Sequence, residues 1–126
     1  MSKARISLGK HGEDLAANHL TKKGFTILER NYRQKIGEID IIARKDKVLV
    51  FIEVKTRKST IFGQPFEAVT PRKQAQLSRV ALDYMTRNKV LNHPARFDVV
   101  SILIAGDGTA TIEHLRNCFE TATRSY

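Results

Sequence analysis

The sequence is short of the residues and patterns on which several classes of protein depend. Cys118 is the single cysteine among 126 residues. An internal disulfide is therefore impossible, and a zinc site built on thiolates is not expected. No apolar stretch approaches the roughly 18 residues that would suggest a membrane span, so no membrane role is expected. The opening residues, Met1-Ser2-Lys3-Ala4-Arg5, lead into no apolar signal core, which argues against secretion. No Gly-rich phosphate loop of the Walker or Rossmann kind is present. His11, His19, His93 and His114 show no ligand spacing and receive no catalytic role. Internal repeats, low-complexity segments and linkers are also missing. The chain reads as one cytoplasmic domain over residues 1–126.

Positive charge, by contrast, is plentiful. There are 22 Lys and Arg against 13 Asp and Glu, a net charge of +9. Twenty of the 22 basic residues lie at or before Arg96. The apolar fraction of 41% and charged fraction of 28% suit an ordinary folded domain. A basic surplus of this size attracts polyanions and favours phosphate contacts. Nucleic acid is the expected partner; a generic solvated surface is the bland alternative.

The pattern predicts the order αβββαββ. A first helix runs from about Ser7 to Lys23, ended by Gly24. Its small positions, among them Gly9, Gly12, Ala16 and Ala17, predict close packing on a sheet. Strands follow near Thr26–Tyr32, Glu38–Lys45 and Val48–Thr56, rich in β-branched residues. Arg57–Phe66 carries Gly63 and Pro65 and should be a loop. Thr70-Pro71 is a helix start, an N-cap followed by Pro at the first helical position. Leu77, Val80, Ala81, Tyr84 and Met85 then share one face. Phe97–Ile104 and Thr109–Leu115 read as two more strands. The tail, about 116–126, reads as a short helix or a mobile end. The expected class is α/β, a mixed central sheet with helices packed on it.

Chemistry concentrates in Gly37-Glu38-Ile39-Asp40 and Phe51-Ile52-Glu53-Val54-Lys55. Side chains alternate along a strand, so Glu53 and Lys55 share a face. If Asp46-Lys47 is a two-residue hairpin loop, Lys45 pairs with Val48. Asp40 then lies opposite Glu53, with Cβ atoms roughly 4.5–5.5 Å apart. A longer loop would shift that register. Facing like charges destabilise a strand pair, and a cation removes the penalty. Carboxylates suit Mg²⁺ or Mn²⁺. Such an ion polarises a phosphate and lowers the pKa of a bound water, while Lys55 orients the water or stabilises charge. The competing reading is a solvated strand alternating Glu and Lys. Leu49 and Phe51 on the same face as Glu53 count against it.

Asp40, then twelve residues, then Glu53-Val54-Lys55, after a helix carrying Glu13, resembles the PD-(D/E)xK nuclease pattern. Gly12-Glu13, Gly37-Glu38-Ile39-Asp40, Phe51 to Arg57 and Arg96-Phe97-Asp98-Val99-Val100 make nearly the whole chain resemble the YraN family of bacterial proteins. That family is in turn similar to archaeal-type Holliday-junction resolvases. Ile39 stands where the superfamily name has Pro. The resemblance implies a restriction-endonuclease-like αβββαβ core. It implies Asp40 and Glu53 as metal ligands, Lys55 as the catalytic lysine and Glu13 as a further acidic residue at the metal. It also implies a branched or structured DNA substrate.

Glu13 lies on the small-residue side of its helix and needs a partner. A metal site is the expectation; Lys55 or an arginine is the alternative. Lys73 and Gln74 extend the inward face of the second helix at its N-terminal end, where free backbone N–H groups favour phosphate. Arg57, Lys58 and Arg72 flank the loop after the catalytic strand and are expected, with Lys73 and Gln74, to grip nucleic acid. Asp98 reads as a structural partner for a nearby Arg. Tyr32 and Phe62 read as packing residues rather than base-stacking ones. The expected function is a Mg²⁺- or Mn²⁺-dependent endonuclease that hydrolyses phosphodiester bonds in DNA. Symmetric cutting would call for a two-fold homodimer. The alternative is an inactive nucleic-acid-binding module or an accessory protein.

Overall fold

The computed structural model describes residues 3–58 and 69–119, with side chains of the first helix from residue 8 onward. Helix α1 spans Lys3–Lys22 and is followed by β1 (Thr26–Gln34), β2 (Gly37–Lys45) and β3 (Val48–Lys58). Helix α2 spans Pro71–Arg87 and leads to β4 (Ala95–Ile104) and β5 (Ala110–Phe119). The strands form one sheet in the order β1-β2-β3-β4-β5. Only β3 and β4 are parallel. A parallel pair needs a crossover, and α2 lies in it. This mixed sheet flanked by two helices is the expected α/β, αβββαβ core, with β5 added at one edge.

Local chemistry explains where the helices stop and start. Gly24 takes a φ of 94° after α1. The Gly24 N–H donates to the Thr21 carbonyl and the Phe25 N–H to the Leu20 carbonyl, both at 3.0 Å. These two bonds form a Schellman closure. Thr70 caps α2, its hydroxyl accepting from the Lys73 N–H at 3.2 Å, with Pro71 next.

The core has two halves, one on each side of the sheet. Ile42, Leu49, Phe51, Phe97 and Val99 pack with Leu77, Val80, Ala81, Tyr84 and Met85 of α2. Ile41, Val50, Ile52, Val100 and Ile102 pack with Ala16, Ala17 and Leu20 of α1. Gly12 brings α1 so close to β3 that a Cβ there would collide with the Thr56 side chain. Gly9 faces open space, so its smallness serves no packing.

Two expectations about connections change. Arg57 and Lys58 are not loop residues; they end β3, opposite Leu103 and Ile104. The rest of the expected loop, Phe62 included, lies outside the described residues. Arg116 to Phe119 belong to β5 rather than to a tail, because Phe119 stacks on Phe97 at 4.4 Å between ring centroids. Residues 120–126 lie outside the described residues. Among the described residues, no helix is long and apolar enough to cross a membrane.

Candidate active site

The site lies where two neighbouring strands part. β2 and β3 pair from Lys45↔Val48 to Ile41↔Ile52, the register expected for a two-residue Asp46-Lys47 turn. Asp46 absorbs the turn with a φ of 56°, a conformation that Asp tolerates better than most side chains. Beyond Ile41↔Ile52 the ladder ends. β2 continues against β1 to Gly37, and β3 continues against β4 to Lys58. Asp40 and Glu53 are the first residues past the fork. Asp40 Oδ2 accepts the Val54 N–H at 2.8 Å, replacing the carbonyl that a continued ladder would have offered. Glu53 shares its side of the sheet with Phe51 and the α2 layer. Lys55 follows it on that side by strand alternation.

The other flank of the fork is built by β1 and α1. Between the pairs Arg30↔Ile41 and Tyr32↔Ile39, Asn31 lies across from Asp40 with a φ of 54°. Its side-chain N–H donates to Glu13 Oε1 at 2.9 Å. Arg30 Nη2 donates to the same oxygen at 3.3 Å and to Asp14 Oδ1 at 2.7 Å. Glu13 is thus paired with an arginine, the alternative that the sequence left open. Its charge still reaches Asp40.

Electrostatics mark the fork as strained. Burial pushes the Asp40 carboxyl up to about 7, and the charge of Glu53 pushes the same way. The Val54 N–H pulls it down, while Glu13 and Glu38 add to the rise. Glu53 is also raised, again first by burial, against the pull of Lys73 and Lys55. Lys73 Nζ stands 4.0 Å from Glu53 Oε2. Two interacting carboxyls of this kind titrate as a pair.

The fork therefore gathers Asp40, Glu53, Lys55 and Lys73, with Glu13 at its α1 flank. Gln74 turns to its own helix start, donating to the Val69 carbonyl at 2.7 Å. Arg72 and Lys58 are exposed, and Arg57 lies beside them at the end of β3. Three neighbours escaped the sequence reading. Glu38 raises both carboxyls; its strand parity with Asp40 was a usable signal. Arg30 and Asn31 carried none, because their contact with Glu13 joins β1 to α1 across 17 and 18 residues of sequence.

The donor set suits one hard dication. Mg²⁺ takes one or two carboxylates and fills its remaining positions with water and phosphate oxygens. Two adjacent carboxyls raised by burial and mutual repulsion are groups a dication would return to their charged form. Among the described residues, no group of three or more His, Cys, Asp and Glu is placed to hold a metal. The protein would contribute two ligands and leave the rest to solvent or substrate.

Residues 12–102 match the model of the Uncharacterised protein family UPF0102. A UPF0102 protein of Geobacter sulfurreducens is 50% identical over 115 residues, covering 91% of this chain and 90% of that protein. One from Syntrophomonas wolfei is 50% identical over 112 residues, covering 89% and 96%. Among solved structures, the chain is similar to Pyrococcus furiosus SfsA, described in complex with Ca²⁺, at 13% identity and a TM-score of 0.43. The match covers 92% of this chain and 65% of that one. The extent and level of the family match agree with the motifs that resembled YraN: the chain belongs to the UPF0102 family.

Proposed function

We propose that this protein is a Mg²⁺- or Mn²⁺-dependent endonuclease acting in the cytoplasm on DNA, with branched or otherwise structured DNA as its substrate. The observation that carries the proposal is the pair Asp40 and Glu53 side by side at the fork, both carboxyls pushed upward by burial. A protein gains nothing in stability from such a pair, so a ligand that discharges it is the economical explanation. Asp40 and Glu53 would hold the ion. When bound, it would supply Lewis acidity to a phosphate oxygen and a more acidic water. Lys55 would orient a water or offset charge on the phosphate. Lys73 and the Arg72 N–H at the start of α2 would meet incoming phosphate, since Pro71 has no N–H and the Lys73 N–H is taken by Thr70. Arg57, Lys58 and Arg72 grip the strand on either side, and Glu13 completes the acidic flank. Symmetric cleavage would use a two-fold homodimer, and a monomer by size-exclusion chromatography with and without DNA would remove that part.

One observation favours a second reading, a binding module without catalysis. Glu13 and Glu53 already face Arg30 and Lys73, so the acids have cationic neighbours without a metal. Cleavage separates the two readings. Labelled linear, flapped and four-way-junction DNA are incubated with Mg²⁺, with Mn²⁺ and with EDTA. The proposal expects metal-dependent products that disappear in Asp40→Ala and Glu53→Ala while DNA binding persists. Cutting retained by both variants means the site is wrong. Binding without cutting under any metal favours the module.

A further inference from the structure

Positive charge is present at both ends of the sheet. Lys55 and Lys73 lie at the fork, with Arg57 and Lys58 further along β3 and Arg72 at the start of α2. A second group surrounds the opposite end, where β2 turns into β3. There Arg44, Asp46 and Lys47 line an open groove of about 470 Å³ with Asn92, His93 and Pro94 from the segment after α2. All six residues are exposed. Neither Arg44 nor Lys47 belongs to an ion pair among the described residues. Among the described residues, Asp46 is the only acid lining the groove. Both groups are presented from the β2–β3 hairpin. Lys45 adds to this end: its Nζ donates to the Lys23 carbonyl at 2.9 Å and lies 5.7 Å from the centre of the Phe25 ring.

We propose that this groove is a second nucleic-acid contact, in which Arg44 and Lys47 hold backbone phosphates of the same substrate molecule, away from the cleaved bond. This rests on the nucleic-acid part of the reading above, but not on catalysis. The distance sets the substrate's size. Asp46 lies six residue steps from Asp40, along β2 and into the turn after it, and at about 3.3 Å per step that is ~20 Å. Duplex advances about 3.4 Å per base pair, so a molecule touching both ends extends about six base pairs or more beyond the fork. Most contacts of such side chains on a nucleic acid go to the backbone, and the proposed role of this contact is to position the substrate.

The test is binding in EDTA, where no cleavage takes place. A labelled duplex of about 24 base pairs is titrated over a range of salt by fluorescence anisotropy, since the slope of log K against log salt counts about 0.9 per neutralised phosphate. Arg44→Ala/Lys47→Ala should lower the slope by about 1.8 and leave the melting temperature unchanged. Arg79→Ala/Arg116→Ala removes the same charge from exposed sites elsewhere and should leave the slope alone. Equal slopes for the wild type and the groove variant overturn the proposal. So does an equal fall in both variants, which would reflect net charge alone. Failure of the wild type to bind also overturns it, together with the nucleic-acid reading. Loss of cleavage with binding intact would instead strike only the nuclease reading.

Discussion

Asp40 and Asp98 are the same residue on the same sheet, and they titrate in opposite directions. Asp98 is the more deeply buried, at 1% exposure, yet its carboxyl is held below the usual range. Burial pushes it up, and donors more than reverse that. His114 Nε2 lies 2.8 Å from Oδ2, the Asn117 N–H donates to Oδ1 at 2.9 Å, and Arg96 Nε donates to Oδ1 at 3.1 Å. Asp40 has one backbone donor and three carboxylates for company. What separates a structural acid from a candidate functional one is therefore the company each keeps, donors around Asp98 and carboxylates around Asp40. Asp98 holds β4 and β5 together. Asp40 is left with capacity for a ligand.

The largest break in this comparison comes from Asp98→Ala. It leaves Arg96 and the buried His114 without their acceptor, and it should cost about 3–5 kcal/mol, measured by urea denaturation. A loss below 1 kcal/mol, on the order of a surface pair, would show that Asp98 is not the anchor of β5.

A pH series sharpens the contrast. The Asp40 pKa is raised in the fold, so its contribution is complete below the unfolded value near 3.8 and is lost as pH rises towards about 7. Asp98 has the opposite sign: its contribution is present above the ordinary carboxylate range and is lost as pH falls through its lowered value. Asp40→Asn, in EDTA, should therefore flatten the stability loss between about pH 4 and about pH 7. An unchanged pH profile in that variant would contradict the electrostatic description of the fork.

The smallest effect tests how the flank is held. Asn31→Gly keeps the positive φ that Gly accepts readily but removes the amide donated to Glu13. Melting should shift by no more than a few degrees, while Mn²⁺ affinity should fall by less than the ~10–100-fold seen for groups that orient a metal ligand directly, since Glu13 acts on Asp40 through its charge. Identical Mn²⁺ affinity would make Asn31 a turn residue only.

Much of this was legible before any coordinates. The hairpin register followed from counting back from Asp46-Lys47, and it placed Asp40 with Glu53. The α2 start was written in Thr70-Pro71. Asp98 was expected to meet an arginine, and Arg96 is that residue. What sequence could not supply was the fork itself. Alternation predicts two strands that stay paired, whereas here β2 follows β1 and β3 follows β4 past Ile41↔Ile52. The positive φ of Asn31 was equally hidden, because a single Asn in a strand-like run does not announce it. Phe119 fell outside the last expected strand because nothing local announces its stacking on Phe97.

Mn²⁺ binding, measured by calorimetry near neutral pH without nucleic acid, tests the central claim most directly. The account predicts one site per chain, protons released on binding, and affinity reduced by roughly tenfold or more in both Asp40→Asn and Glu53→Gln. A wild-type protein that binds no Mn²⁺, or variants that bind it as well as the wild type, would contradict the claim that the fork is a metal centre.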